Sequence, residues 1–223
     1  MERCVRCVLC AHRPQEAGKS PPDRQDGNVS HYPPHSPSSS VYPGYPPPPS
    51  PTRERVFGPL LVASVLCTGL MAGLFFAYDV SVMPGLAELD DRTYAVAMQR
   101  FNAVIDGSGL FGLVFIAALG LTVASAIVAF RRKRLAVAVP LVVAAVCYLA
   151  VLVITVAVNL PLNAELADLG NPATAEDLPA VIEDFKSVWV PANVVRTLLC
   201  VVSLGALCSA VLRYGRVSGS FPR

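Results

Sequence analysis

Four long apolar runs, at 56–78, 107–130, 135–158 and 191–212, dominate the chain, separated by two acidic segments and one short basic turn. At a rise of about 1.5 Å per residue, each is long enough to cross a hydrocarbon core of about 30 Å as a helix. The first three contain no charge, whereas the fourth is uncharged only from Thr197 onward, which places Arg196 in the membrane or at its edge. In the first acidic segment Tyr94, Ala97, Met98, Phe101, Val104 and Ile105 recur at helical spacing behind Asp90 or Asp91 as cap. In the second, Leu178, Val181, Phe185 and Val188 do the same behind Asp177, with Pro179 in the first turn. The pattern predicts an all-α fold: an integral membrane four-helix bundle over 53–216, with two short amphipathic helices lying over its outer mouth. Gly69 with Gly73, and Gly205 with Ser209, form small-xxx-small pairs expected to let the spans approach closely.

Orientation follows from the basic residues, which concentrate in cytoplasmic loops. Arg53 and Arg55 precede the first run, Arg131, Arg132, Lys133 and Arg134 join the second to the third, and Arg213 and Arg216 follow the fourth. The other two connections are acidic. The expectation is a multi-pass protein of the cell membrane, with both termini cytoplasmic and residues 217–223 as a short cytoplasmic end. The N-terminal CVRCVLC turns polar too soon for a cleavable signal, so the first run is expected to direct insertion. Residues 1–52 are rich in Pro, Ser and Tyr and hold too little apolar surface to offset the entropy of ordering. They read as a disordered cytoplasmic tail, with a proline-reading partner as the alternative to a plain flexible segment.

Composition narrows the chemistry. With 53% hydrophobic and 15% charged residues, the chain has too few charges to clothe a soluble globule, and membrane lipid is its expected surroundings. A net charge of +2, with basic residues in short clusters beside apolar runs, gives no footprint for nucleic acid. Cys4, Cys7, Cys10 and His12 suggest at most a weak metal clip in the tail, and Cys67, Cys147, Cys200 and Cys208 fall inside the runs, away from any disulfide framework. All three histidines, His12, His31 and His35, belong to the tail. No histidine-ligated metal or haem is therefore expected in the bundle, and no cofactor is assigned.

Polar residues at membrane depth are costly and mark candidate sites. Trp189, Asn193, Arg196, Cys200 and Ser203 follow one another at helical spacing and form one stripe, provided that the helix extends back past Pro191. Asn159 and Asn163 close the third run at the same level, and Tyr78 and Asp79 close the first. Singly, these groups read as a snorkelling arginine and helix-capping asparagines. Together they outline a pocket for a flat, weakly acidic molecule arriving from the bilayer.

The succession of VMPGL after the first run, FNAVI before the second, NLPLN at the end of the third, and Trp189, Asn193 and Arg196 at the start of the fourth resembles the anthrone oxygenase family of small four-helix membrane proteins. The resemblance implies oxidation of an anthrone-like aromatic by dioxygen without metal or flavin. Arg196 and Asn193 would then stabilise an oxyanion, Asp79 or Tyr78 would act as base, Asn159 and Asn163 would position the substrate, and Trp189 would stack on it. The competing expectation is a non-enzymatic membrane protein whose polar groups lock helices or bind lipid or a partner. A transporter ranks last, since no broken helix, inverted repeat or midplane acid stands out.

Overall fold

The computed structural model describes residues 51–219, with side chains from 56 to 216. The tail, its Cys4, Cys7, Cys10 and His12 cluster and its proline-rich stretch lie outside the described residues. Helix α1 (Pro51–Ala77) passes through a π turn (Tyr78–Val82) into α2 (Met83–Ala87), and α3 (Asp91–Asp106) leads into α4 (Gly109–Arg131). Helix α5 (Leu135–Ile154) passes through a second π turn (Thr155–Asn159) into α6 (Leu160–Asp168), and after a 3₁₀ turn α7 (Leu178–Gly219) completes the chain. Among the described residues there is no strand.

Four helices are long and apolar enough to cross a membrane: Val56–Ala87, Gly109–Arg131, Leu135–Asp168 and Leu178–Arg216. They run antiparallel in sequence, α1 packing on α4 and α7, and α5 on α4 and α7. Aliphatic side chains such as Leu66, Leu113, Val146 and Leu198 are left more than half exposed or nearly so on the outside, as lipid-facing positions require. One end of the bundle carries the basic turn; the other carries the acidic connections. Lys133 closes the basic turn with φ 55°, the left-handed conformation a tight reversal demands.

Both π turns have a local cause in the sequence. Pro84 and Pro161 each lie two residues past a π turn, and proline can neither donate an N–H to the preceding helical turn nor fit against its carbonyl. The helix widens ahead of them: Met83 N–H bonds to Tyr78 O, and Leu160 N–H to Thr155 O, the five-residue step of a π helix. The first and third spans therefore repeat one plan, a long helix, a π turn and a proline, at the acidic end.

Asp90 caps α3, its Oδ1 accepting from Thr93 N–H at 3.0 Å, and Ser108 caps α4 through Phe111 N–H at 3.3 Å. The first amphipathic helix is thus present, but its packed face differs from the expected stripe. Tyr94, Ala95, Met98 and Asn102 are buried, while Phe101 and Val104 are 41% and 73% exposed. Turning Asn102 inward toward other polar groups rotates those two apolar residues onto the outer surface. The second amphipathic stretch is helical too, yet it is the acidic end of α7 and not a separate helix. Pro191 costs only one hydrogen bond there, and the buried face formed by Ile182, Phe185 and Trp189 before it continues with Asn193 and Arg196 after it.

The glycine pairs do not make the helix contacts expected of them. Gly73 and Gly205 are exposed with nothing within 4 Å of an added Cβ, and only Gly69 approaches a neighbour, Leu204 at 3.9 Å. Close approach is instead provided by Ser64, Ala72, Ala118, Ser125, Ala144 and Ser203, all buried. Ser203 also donates across the α5–α7 contact to Ala144 O at 2.9 Å.

Candidate functional site

The polar groups meet where the two π turns face α7. Trp189, Asn193, Arg196, Cys200 and Ser203 are all buried on one face of α7, so the helix does carry its stripe past Pro191. Asp79, on the first π turn, accepts from Asn193 Nδ2 through Oδ1 at 2.5 Å and from Thr197 Oγ1 through Oδ2 at 2.5 Å. Asn193 Nδ2 also donates to Phe75 O at 3.0 Å, while its Oδ1 accepts from Arg196 NH2 at 2.6 Å. Arg196 NH1 donates to Thr155 Oγ1 at 3.2 Å, on the second π turn. One connected network thereby ties three spans together, with an amide set between a guanidinium and a carboxylate.

Arg196 is 5% exposed, far below what an uncompensated cation tolerates. Its guanidinium carbon lies 4.4 Å from the Phe75 ring centre and 5.7 Å from that of Trp189, so aromatic faces supply part of what water would. Trp189 is itself held by Nε1 donating to Asn163 Oδ1 at 2.9 Å and by rings of Tyr78 and Phe185 about it, at 5.9 and 6.0 Å.

Beside this network lies a cavity of about 50 Å³. Six of the seven residues singled out from the sequence line it: Tyr78, Asn159, Asn163, Trp189, Asn193 and Arg196. Asp79 does not; it stands behind Asn193 with both oxygens engaged. Asn193 is wholly buried and each of its side-chain polar atoms is already bonded. Asn159 differs from both. It is 1% exposed, and neither its Nδ2 nor its Oδ1 has a hydrogen-bond partner. Arg196 Nε and Asn102 Nδ2 are likewise buried and unpaired on the same wall. Buried polar groups without partners are rare, and here they converge on one space.

Sequence reasoning passed over several members of this wall and of the network behind it. Thr155 and Thr197 carry no charge and hide in apolar runs; their signal is spacing, each four residues from an asparagine already singled out. Asn102 figured only within FNAVI, and Asp106, at the end of the first acidic segment, was not singled out. Asp106 is the single carboxylate residue on the cavity wall, and partial burial raises its pKa from the ordinary aspartate value. Among the described residues no three His, Cys, Asp or Glu side chains gather, so the wall offers amides, hydroxyls, one guanidinium and one carboxylate.

No curated protein and no solved structure matches the chain. The model of the anthrone oxygenase family matches residues 106–206. Asn159, Asn163, Trp189, Asn193 and Arg196 fall inside that stretch, whereas Tyr78, Asp79, VMPGL and FNAVI precede it. Over 106–206 the chain is thus similar to the anthrone oxygenase family, and that stretch is set in an all-helical protein with four helices long and apolar enough to cross a membrane.

Proposed function

We propose that the cavity binds the oxygenated edge of an anthrone-like or other flat aromatic molecule and that the protein catalyses its oxidation by dioxygen without a cofactor. The observation that carries this reading is Asn159: an amide 1% exposed with both polar atoms unpaired. A purely structural lock between helices has no use for such a group. The Asp79–Asn193–Arg196 network would serve as a lock by itself, but it is already satisfied, and Asn159 stands outside it.

The chemistry asks little of the protein. Loss of a proton from the activated methylene of an anthrone moves its electron pair onto the carbonyl oxygen. The resulting enolate gives one electron to dioxygen; the radical and superoxide combine at the former methylene carbon, and protonation yields a hydroperoxide. Loss of the remaining C–H proton and of hydroxide, together water, leaves the quinone carbonyl. A buried cation beside the carbonyl oxygen favours the enolate over the ketone, which is where catalysis is won. Arg196 has that place, its Nε–H free on the cavity wall. Because Asn193 and Asp79 are fully bonded to one another and to neighbours, they act in this reading as positioning groups for Arg196. Trp189, Tyr78 and Asn163 shape the wall against the ring.

A cavity of about 50 Å³ does not enclose a tricyclic molecule; a dry cavity of about 150 Å³ takes up one benzene. In this reading the polar edge enters, and the remaining rings lie outside it, with Phe111 and Leu160 among the apolar residues of the lining to pack on. In this reading the basic turn and both termini face the cytoplasm, the orientation that basic residues favour, and the site lies at the outer side, where substrate and dioxygen, both soluble in the bilayer, arrive laterally.

Oxygen uptake by the purified full-length protein in detergent, with emodin anthrone as substrate and a protein-free control, tests the reading. Uptake above autoxidation that is lost in Arg196→Met supports it. Uptake no faster than the control, in protein that keeps its helical circular dichroism, refutes it.

A further inference from the structure

Resting on that reading, we infer that Asp106 is the catalytic base, an exposed carboxylate on the wall of the cavity that buried Arg196 also lines, taking the proton from the substrate methylene. In an anthrone the carbonyl and the methylene occupy opposite edges of the middle ring. A site that buries a cation at the carbonyl therefore needs its base on the far side of the ring, toward the rim. Asp79 fails this requirement. Its two oxygens are taken by Asn193 and Thr197, it does not line the cavity, and it lies on the Arg196 side of the network. Asp106 meets it: the residue belongs to the wall formed with Asn102 and Ile105, and it is exposed, so a proton it accepts passes on to water.

Its place in the fold suits the task. Asp106 is the last residue of α3, where the helix dipole disfavours negative charge and so keeps a carboxylate basic. The other ionisable groups on the same wall are Tyr78 and Arg196. Partial burial raises the Asp106 pKa, toward the range in which a carboxylate removes protons efficiently. Proton and electrons balance simply: the C–H bond breaks, its proton goes to an Asp106 oxygen, and the pair it leaves becomes the enolate at Arg196.

The test is the pH dependence of oxygen uptake with emodin anthrone for wild type, Asp106→Asn and Asp106→Glu, beside Asp79→Asn. Loss of a general base costs roughly 10²–10⁴-fold. Asp106→Asn is expected to fall by that factor and to lose the acidic limb of the rate profile, and Asp106→Glu to recover part of both. Binding is read separately by quenching of the single tryptophan, Trp189, with anthraquinone; it should survive Asp106→Asn. An active wild type whose Asp106→Asn variant keeps its rate and its pH profile overturns the assignment and leaves the oxygenase reading standing. An inactive wild type overturns both.

Discussion

Replacing Asp79 by Asn and Arg196 by Met, singly and together, measures whether the two charges act through Asn193. The path from Arg196 NH2 to Asn193 Oδ1 is 2.6 Å, and from Asn193 Nδ2 to Asp79 Oδ1 it is 2.5 Å. With the width of one amide between them, the charges are about 7 Å apart at most, and at an effective dielectric of about 20 they attract by about 2 kcal/mol. Hydrogen bonding contributes little to the difference, because the donors have second acceptors. Asn193 Nδ2 keeps Phe75 O at 3.0 Å, and Thr197 Oγ1 keeps Asn193 O at 3.2 Å. Asp79→Asn also retains the shape and two polar atoms. What remains is a buried cation without its counter-charge, the costly half of a broken pair. Unfolding of each variant by SDS titration in mixed micelles, followed by circular dichroism, should give a coupling energy of about 2 kcal/mol, the double variant losing less than the sum of the singles. Effects that add to within about 0.5 kcal/mol would refute the argument, since independent sites behave that way.

Three further outcomes follow from individual residues. Asn159→Leu removes an unpaired buried amide, so it should raise unfolding free energy by about 1 kcal/mol while weakening quenching of Trp189 by anthraquinone; a destabilised variant with undiminished quenching contradicts the role given to Asn159. The side-chain bond from Thr93 and then its backbone bond hold the Asp90 pKa below the usual value, so this cap stabilises α3 above the ordinary aspartate range and is lost as pH falls through the lowered value. Hydrogen exchange in α3 should therefore quicken on acidification in wild type and already be fast, with a flatter pH response, in Asp90→Ala. Gln99 Nε2 ties α3 to the end of α6 through Leu166 O at 2.8 Å and Gly170 O at 3.2 Å, so Gln99→Ala should speed Trp189 quenching by anthraquinone in stopped flow if α3 yields to admit the ring; an unchanged rate places the yielding wall elsewhere.

The four spans were legible because lipid imposes a long, uninterrupted apolar run and little else imitates it. So was the depth of the site, since Tyr78, Asn159, Asn193 and Arg196 are conspicuous against apolar neighbours. Their division of labour was not. Nothing along the chain distinguishes Asn193, whose side-chain polar atoms are all bonded, from Asn159, whose atoms have none; that depends on which groups three separate spans bring within about 3 Å. Asp79 and Asp106 are both acids at the edge of apolar segments, and only the arrangement of α3 against the π turns sends one behind Asn193 and the other to the cavity wall. The face of α3 was misjudged for a related reason: periodicity groups apolar residues, and this helix buries a polar one, Asn102, at their expense.

The π turns explain why the polar groups can gather at all. A straight α-helix bonds every backbone group within itself and presents its side chains at fixed intervals, so a second polar contact on the same face must wait for the next turn. The widened turns ahead of Pro84 and Pro161 shift that register at the level of α7, and their residues supply Asp79 to Asn193 and Thr197 on one side and Thr155 to Arg196 on the other. Such turns cost backbone stability and recur at functional sites for that reason. In this bundle the cost is partly recovered, because the network they complete is satisfied. Asn159 closes the second π turn and recovers nothing, its amide sealed from water and bonded to no side chain. An apolar residue there would give a more stable bundle with the same network intact, and under the proposed function the oxygen and hydroxyl groups of a bound ring would be the partners the amide lacks.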